Sequence, residues 1–305
     1  MTVRRIAMVT ILGFVSLPLV ALLLFALNGL LLCDGTKSRA GSLASSVDPP
    51  VADPHELRLM AFNIAKGFAY KGGLSFDTHE AVSSRLDVIA TIIREHNPDI
   101  VCLSEVLREC GPCNINQVEY LSRRTGLTNW AFGECYSFGL PFYRAVGGNA
   151  ILSRYPVSAV ANLTLAGRKP FYVTKNNRRA LAAMVSTPVG ELTVWSIHND
   201  SFNLSNNLDQ VRQILENPLS RQAFLAGDFN AQPATDSMRA IRESERFVGE
   251  FFGPPTLPSW KAEITIDYVL APTEFELLSH MVVSNDISDH HAVVAQFQRV
   301  KRLDE

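Results

Sequence analysis

The segment Ala223-Phe224-Leu225-Ala226 is apolar at every position and runs directly into Gly227-Asp228-Phe229-Asn230. A strand with one face in water alternates apolar and polar residues, whereas an unbroken apolar run has to be covered on both faces. Ile100-Val101-Cys102-Leu103, before Ser104-Glu105, reads the same way, and Trp195-Ser196-Ile197 leads into His198-Asn199-Asp200. Leu57 to Asn63, Ala150 to Ser153, Arg179 to Ser186, Leu192 to Ile197, Ile264 to Leu270 and Ala292 to Phe297 are further strand candidates. Between them, Glu80 to His96 spaces Val82, Leu86, Ile89, Ile92 and Ile93 by threes and fours, as one face of a helix does. Asn97-Pro98-Asp99 stops that helix. Gln117 to Arg124 and Leu208 to Leu215 are shorter helical stretches. Strands outnumber helices and need cover on two sides. The expected fold class is α+β: a two-sheet β-sandwich flanked by helices, four layers in the order α/β/β/α, over residues 55–305.

Upstream, Arg4 and Arg5 precede 27 residues, Ile6 to Leu32, with no charge. A bilayer span needs about 20 apolar residues, and the run is longer than the apolar part of a cleaved signal peptide. The arginines favour a cytoplasmic N-terminus. Residues 1–33 are therefore expected to form a signal anchor, one N-terminal transmembrane helix that places the rest outside the cytoplasm; if the segment is cleaved, the domain is secreted. Leu30-Leu31-Leu32-Cys33 is a poor lipoprotein cleavage site, because Leu32 is not small. Residues 34–54, rich in Ser, Ala, Gly, Pro and Asp, are expected to be a flexible linker. In an exported domain, a disulfide among Cys110, Cys113 and Cys135 is expected, with the pairing open, while Cys102 in its apolar strand is a core residue. The net charge of −2 gives no global attraction for nucleic acid, and nothing calls for an obligate protein partner.

The strand ends carry polar groups that a core does not need: Asn63, Glu105, His198 with Asn199 and Asp200, then Asp228 and Asn230. Asp267 and the Ser288-Asp289-His290 run follow. Two residues apart on a strand, Asp228 and Asn230 point to the same side. A hard divalent ion suits Glu105 with Asn63, and an oxyanion suits the Asn230 amide. Histidine exchanges protons near neutral pH. Two acid-backed histidines, His290 beside Asp289 and His198 with Asp267, would supply a proton acceptor and a donor, with His290 taken as the base. Asp228 would orient or deprotonate the attacking water. Asn149 is a candidate at the site, and Arg178 and Arg179 are candidates for holding an anionic group.

The segments Ala61-Phe62-Asn63-Ile64, Leu103-Ser104-Glu105-Val106, Gly148-Asn149-Ala150-Ile151-Leu152-Ser153-Arg154, Ser196-Ile197-His198-Asn199-Asp200, Gly227-Asp228-Phe229-Asn230, Ile266-Asp267-Tyr268-Val269 and Ser288-Asp289-His290 resemble the endonuclease/exonuclease/phosphatase superfamily. Its members are similar to deoxyribonuclease I, neutral sphingomyelinases and inositol polyphosphate phosphatases. The resemblance spans residues 57 to 297. It implies a two-sheet sandwich with the site at one edge, and Mg²⁺-dependent (or Mn²⁺- or Ca²⁺-dependent) cleavage of phosphoester bonds, most of all phosphodiesters. It also implies catalytic roles for His198, Asp228, Asn230, Asp267, Asp289 and His290, metal ligation by Glu105, Asn63 and Asp289, and substrate contacts from Asn63, Asn230, Asn149 and Arg179. The substrate would be nucleic acid or a phospholipid headgroup. Leu-Ser-Glu stands where Leu-Gln-Glu is frequent, and His198-Asn199-Asp200 where His-Leu-Asp is, so the substrate class is not fixed by the motifs. A non-catalytic domain that kept the fold would have lost a proton-transfer residue, and none is missing. A thiol oxidoreductase built on Cys110-Gly-Pro-Cys113 does not suit the strand count.

Overall fold

The computed structural model describes residues 16–29, 38–44, 55–69, 77–167 and 178–300. Two mixed sheets pack face to face. The first contains β1 (Ser38–Ser42), β2 (Glu56–Asn63), β3 (Ile100–Cys110), β4 (Asn129–Leu140), β5 (Tyr143–Ser153), β12 (Phe275–Val283) and β13 (Ala292–Arg299), in the order β1-β4-β5-β3-β2-β13-β12. The second contains β6 (Val157–Thr164), β7 (Arg179–Thr187), β8 (Gly190–His198), β9 (Ala223–Asp228), β10 (Phe247–Gly249) and β11 (Asp267–Pro272), in the order β10-β11-β9-β8-β7-β6. Each sheet has one parallel pair, β2 with β3 and β8 with β9, and the other pairings are antiparallel.

The period of two along β2 builds the layers. Leu57, Leu59 and Ala61 face the second sheet, while Met60 and Phe62 face outward to α2 (His79–His96) and α3 (Gln117–Thr125). On the far side, Trp195, Ile197, Leu225 and Leu270 pack against α4 (Leu204–Glu216) and α5 (Asp236–Glu243). The four-layer α/β/β/α order follows from runs that are apolar on both faces. Phe224 sits between the sheets, edge-on to Phe275 at 4.9 Å and to Phe297 at 5.6 Å. Phe224→Ala is expected to cost about 3–5 kcal/mol, because the surrounding rings cannot close over the cavity. A urea titration checks this through its midpoint.

Asn97 ends α2 in the left-handed conformation at φ 45°, just ahead of Pro98. Cys110 and Cys113 form a disulfide, closing the turn after β3, and Cys102 and Cys135 are both buried. Ser38–Ser42 lies inside the stretch expected to be a linker, yet it pairs with β4 as an edge strand, Gly41 opposite Trp130. A Cβ on Gly41 would meet the Trp130 ring at 2.5 Å, so the small residues that look like linker composition are there because an indole lies across the strand. The apolar run 6–32 lies partly outside the described residues. Its described part forms a helix over residues 16–27 (α1). Among the described residues, no helix is long and apolar enough to cross a membrane.

Candidate active site

The two parallel pairs explain why the polar strand ends meet. Asn63 and Ser104 share a register, so Asn63 and Glu105 leave the first sheet at one level, and His198 pairs with Asp228 at the end of the second. Because β11 runs antiparallel to β9, its first residue, Asp267, lies opposite Asp228, the last of β9. The loop before β13 adds His290. Gly227 lets β8 and β9 approach: it stands at φ 138°, and a Cβ there would lie 2.2 Å from the Ile197 carbonyl oxygen. Glu105 and Asn230 occupy left-handed backbone, φ 53° and 49°, an unfavourable conformation for residues with side chains and one that recurs where function requires it.

The centre is a buried chain of polar groups. Asp267 Oδ2 holds His290 Nδ1 at 2.9 Å. On the other side of the ring, Nε2 lies 3.8 Å from Asp228 Oδ2 and 3.4 Å from Asn63 Nδ2. The Asn63 amide donates to Asp228 Oδ2 at 3.1 Å and accepts the Ala65 N–H at 3.0 Å. Asp228 Oδ1 takes the main-chain N–H of Asn230 at 2.9 Å. The Asn230 side-chain amide donates to the Asn199 carbonyl at 3.1 Å. Ser288 fixes the loop from beneath, its hydroxyl on the Asn63 carbonyl at 2.7 Å.

Charge is distributed unevenly here. Burial lowers the pKa of His290, but the Asp267 and Asp228 carboxylates more than offset this, so the ring stays protonated through neutral pH. Burial raises Asp228, and His290 offsets it only in part. His198 is held well below its ordinary value by burial and then by the Arg178, His290 and Lys66 cations. A neutral His198 forms no ion pair with Asp228, although its Nε2 lies 3.5 Å from Oδ2. That nitrogen instead accepts from the Arg178 guanidinium at 2.5 Å. Burial also raises Glu105, but the ion pair with Lys66 outweighs it and keeps the carboxylate ionised.

The sequence expectations need four corrections. Asp267 serves His290 and not His198, because β11 places it across from Asp228. Asp289 is not the partner of the His290 ring; its carboxylate takes the Ser288 hydroxyl at 3.3 Å. Arg179 does not line the site: it is buried and its guanidinium bonds the Thr164 hydroxyl, while Arg178, one residue earlier, turns toward His198. Asn149 is fully buried and ties the sheets together, donating to the carbonyl of Arg179 at 2.8 Å and of Ser196 at 3.4 Å. Lys66 was not anticipated, although its position three residues after Asn63, in a Gly-containing stretch, was a usable signal. Tyr136 is the other residue missed; its buried hydroxyl has no hydrogen-bond partner among the described residues, and the Glu105 charge adds to the burial that raises its pKa.

Asp228, Asp267 and His290 each bring one ligand atom within 4.8 Å of the others, a group able to hold a cation. A hard ion prefers oxygen donors, and Glu105 offers another one close by: its Oε1 lies 4.0 Å from His198 Nε2, which is 3.5 Å from Asp228 Oδ2. Glu105 and Asp289 are close enough for the Glu105 charge to raise Asp289, after burial.

Residues 60–290 match the profile of the Endonuclease/Exonuclease/phosphatase family. No curated protein matches the chain closely enough to count as a relative. Among solved structures, the endonuclease/exonuclease/phosphatase from Beutenbergia cavernae is similar with TM-score 0.65 and 23% identity, over 80% of this chain and 72% of that one. The human nocturnin catalytic domain with bound sulfate gives TM-score 0.57 and 19% identity, over 87% and 97% of the two chains. The mannosyl-6-phosphatase of Bacteroides thetaiotaomicron gives 0.58 and 14%, over 79% and 99%. These likenesses show the fold, and the match over residues 60–290 shows more: the chain belongs to the endonuclease/exonuclease/phosphatase family.

Proposed function

We propose that the chain is a divalent-metal-dependent hydrolase of phosphodiester bonds, held at a membrane by its N-terminal segment with the catalytic domain outside the cytoplasm. The observation that carries the reaction class is the buried relay Asp267–His290–Asp228–Asn63, open toward a second cluster of Glu105, Lys66, His198 and Arg178. A core has no use for this many ionisable groups at four strand ends.

Glu105, with Asn63 and Asp289, would hold the ion, Mg²⁺ first and Mn²⁺ or Ca²⁺ as substitutes. Bound there, it would neutralise phosphoryl oxygens and lower the cost of a pentavalent transition state. His290, clamped between two carboxylates, is poorly placed as a base because it already carries its proton. The base is therefore Asp228, whose raised pKa makes it a better acceptor for a proton from the attacking water. His290 steadies the phosphoryl oxygens as an imidazolium, with Asp267 fixing the ring. Asn230 keeps the Asp228 carboxylate aimed through its main-chain N–H, and its side-chain amide has a second N–H for the substrate. On the opposite side, His198 holds the Arg178 guanidinium, a permanent cation for the negative charge on the leaving oxygen. The substrate is a nucleic acid or a phospholipid headgroup.

The purified full chain, assayed in detergent with Mg²⁺, is expected to hydrolyse an aryl phosphodiester faster than the matching monoester. Excess EDTA is expected to remove the activity, and added Mg²⁺ to restore it. Turnover unaffected by EDTA would reject the metal-dependent reading.

A further inference from the structure

The hairpin joining β4 and β5 extends beyond the site. From Glu105, β3 continues to Cys110, which pairs with Ala145, and the hairpin turns farther on, between Leu140 and Tyr143. Asn149 lies in β5 next to the level of Glu105; from there to Tyr143 the strand covers roughly 20 Å at about 3.3 Å per residue. The tip therefore lies at the same end of the sheet as the catalytic groups. It is aromatic and open to solvent, with Phe142 77% and Tyr143 54% exposed.

Helix α1 is fastened to this hairpin. Phe25 stands edge-on to Phe138, with ring centroids 5.1 Å apart. Asn28, the polar residue near the end of the charge-free run, is fully buried. Its amide donates to the Gly139 carbonyl at 3.0 Å and accepts from the Ser137 hydroxyl at 2.8 Å and the Arg144 guanidinium at 3.4 Å. Asn28 thus serves as a docking residue for the hairpin. With the helix fixed this way, Leu17, Leu19, Val20, Leu22 and Leu23 are all at least half exposed. Helix and tip together present an apolar surface at the end of the sheet that carries the site. Monomeric soluble proteins seldom expose such patches unless something binds them.

We infer that α1 and the β4–β5 tip form one surface that docks in a lipid bilayer and turns the catalytic mouth toward the headgroups. Three features select lipid as the occupant. The aliphatic side chains belong to a 27-residue stretch without charge, which is more apolar than a protein groove requires. The tip pairs Tyr143, of a type that settles at the membrane–water boundary, with Phe142, an apolar ring suited to the acyl boundary. Arg144, paired with Glu109 at 3.0 Å, marks a polar rim just behind the tip. Resting on the phosphodiesterase reading above, the orientation assigns the substrate class: a phosphodiester carried in the headgroup layer of a membrane lipid.

The test uses the full chain in phosphatidylcholine–phosphatidylglycerol vesicles. Phe142→Trp reports depth through quenching by brominated lipid, with Leu278→Trp on β12, the opposite edge of the sheet, as the reference. Stronger quenching at 142 is expected; equal quenching would overturn the docking. Phe142→Asp with Tyr143→Asp is expected to leave turnover of a soluble aryl phosphodiester unchanged, which shows that the fold and site survive. Release of headgroup phosphate from the vesicles is expected to fall roughly 10-fold, because apolar contacts of this kind set interfacial affinity. Equal loss on both substrates, or on neither, would overturn the orientation. Quenching at 142 in a chain that hydrolyses neither substrate would uphold the surface and reject the enzymatic reading, so the two failures are distinguishable.

Discussion

Asp228→Asn is expected to abolish most turnover, a loss of roughly 10²–10⁴-fold in kcat/KM, while leaving the protein as stable as before or more so. The carboxylate is almost fully buried between a protonated histidine and a second carboxylate, and burial raises its pKa. Asparagine is nearly the same shape. Its single carbonyl oxygen can still accept the Asn230 main-chain N–H, while the hydrogen bond from the Asn63 amide to the second oxygen is given up; that loss is offset by the charge that no longer has to be buried. What disappears is a buried carboxylate, costly to the fold when ionised, and the group proposed as the proton acceptor. Activity and stability should therefore move in opposite directions, as expected when a residue is kept for catalysis rather than for folding. Parallel measurement of kcat/KM and of the thermal midpoint checks this. A variant that loses both would point to a structural role.

His290→Ala is expected to lose roughly 10³-fold in activity and, unlike Asp228→Asn, to lose stability as well. Removing the ring leaves Asp267 and Asp228 facing across the gap without the cation that lies between them, and the Asp267 Oδ1 already has no hydrogen-bond partner among the described residues. One of the two carboxyls would have to take up a proton on folding. A buried charge left without its partner is destabilising by several kcal/mol, so the double variant His290→Ala with Asp267→Asn is expected to recover stability but not activity. Urea unfolding of the single and double variants, compared with their turnover, separates the two effects.

The layers were legible in the sequence because the signal is strong there. Runs such as Phe224 to Ala226 are apolar on both faces, and the three-and-four spacing from Val82 to Ile93 marks α2. The strand ends were legible for the same reason, since Asn63, Glu105, His198 and Asp228 each interrupt such a run. Strands toward the sheet edges with irregular patterns were not. The period of β12 is broken by a bulge between Leu277 and Ser279, and β4 mixes Gly, Cys and Tyr with apolar residues and bulges between Glu134 and Tyr136. The linker composition around Ser38–Ser42 concealed a strand because its glycine is small to admit Trp130.

Pairings within the site were the least legible. The acid that serves each histidine depends on the register of β11 against β9, which adjacency in sequence misrepresents: Asp289 is next to His290 in the chain, but Asp267 is next to it in space. Arg178 and Arg179 are a case of the same kind. Neighbours diverge at the start of β7, so one reaches His198 and the other is buried against Thr164. Lys66 stands outside any regular element that a periodic pattern marks, in a short turn with left-handed backbone.

The most direct test of the central claim is the initial rate of aryl phosphodiester hydrolysis in Mg²⁺ by the wild-type chain and by Asp228→Asn, purified and assayed side by side. Metal-dependent turnover in the wild type, lost in a variant that remains folded, is the predicted result. Equal rates in the two proteins, or a folded wild type with no turnover on any phosphodiester offered, would contradict the assignment of this site as a phosphodiesterase centre.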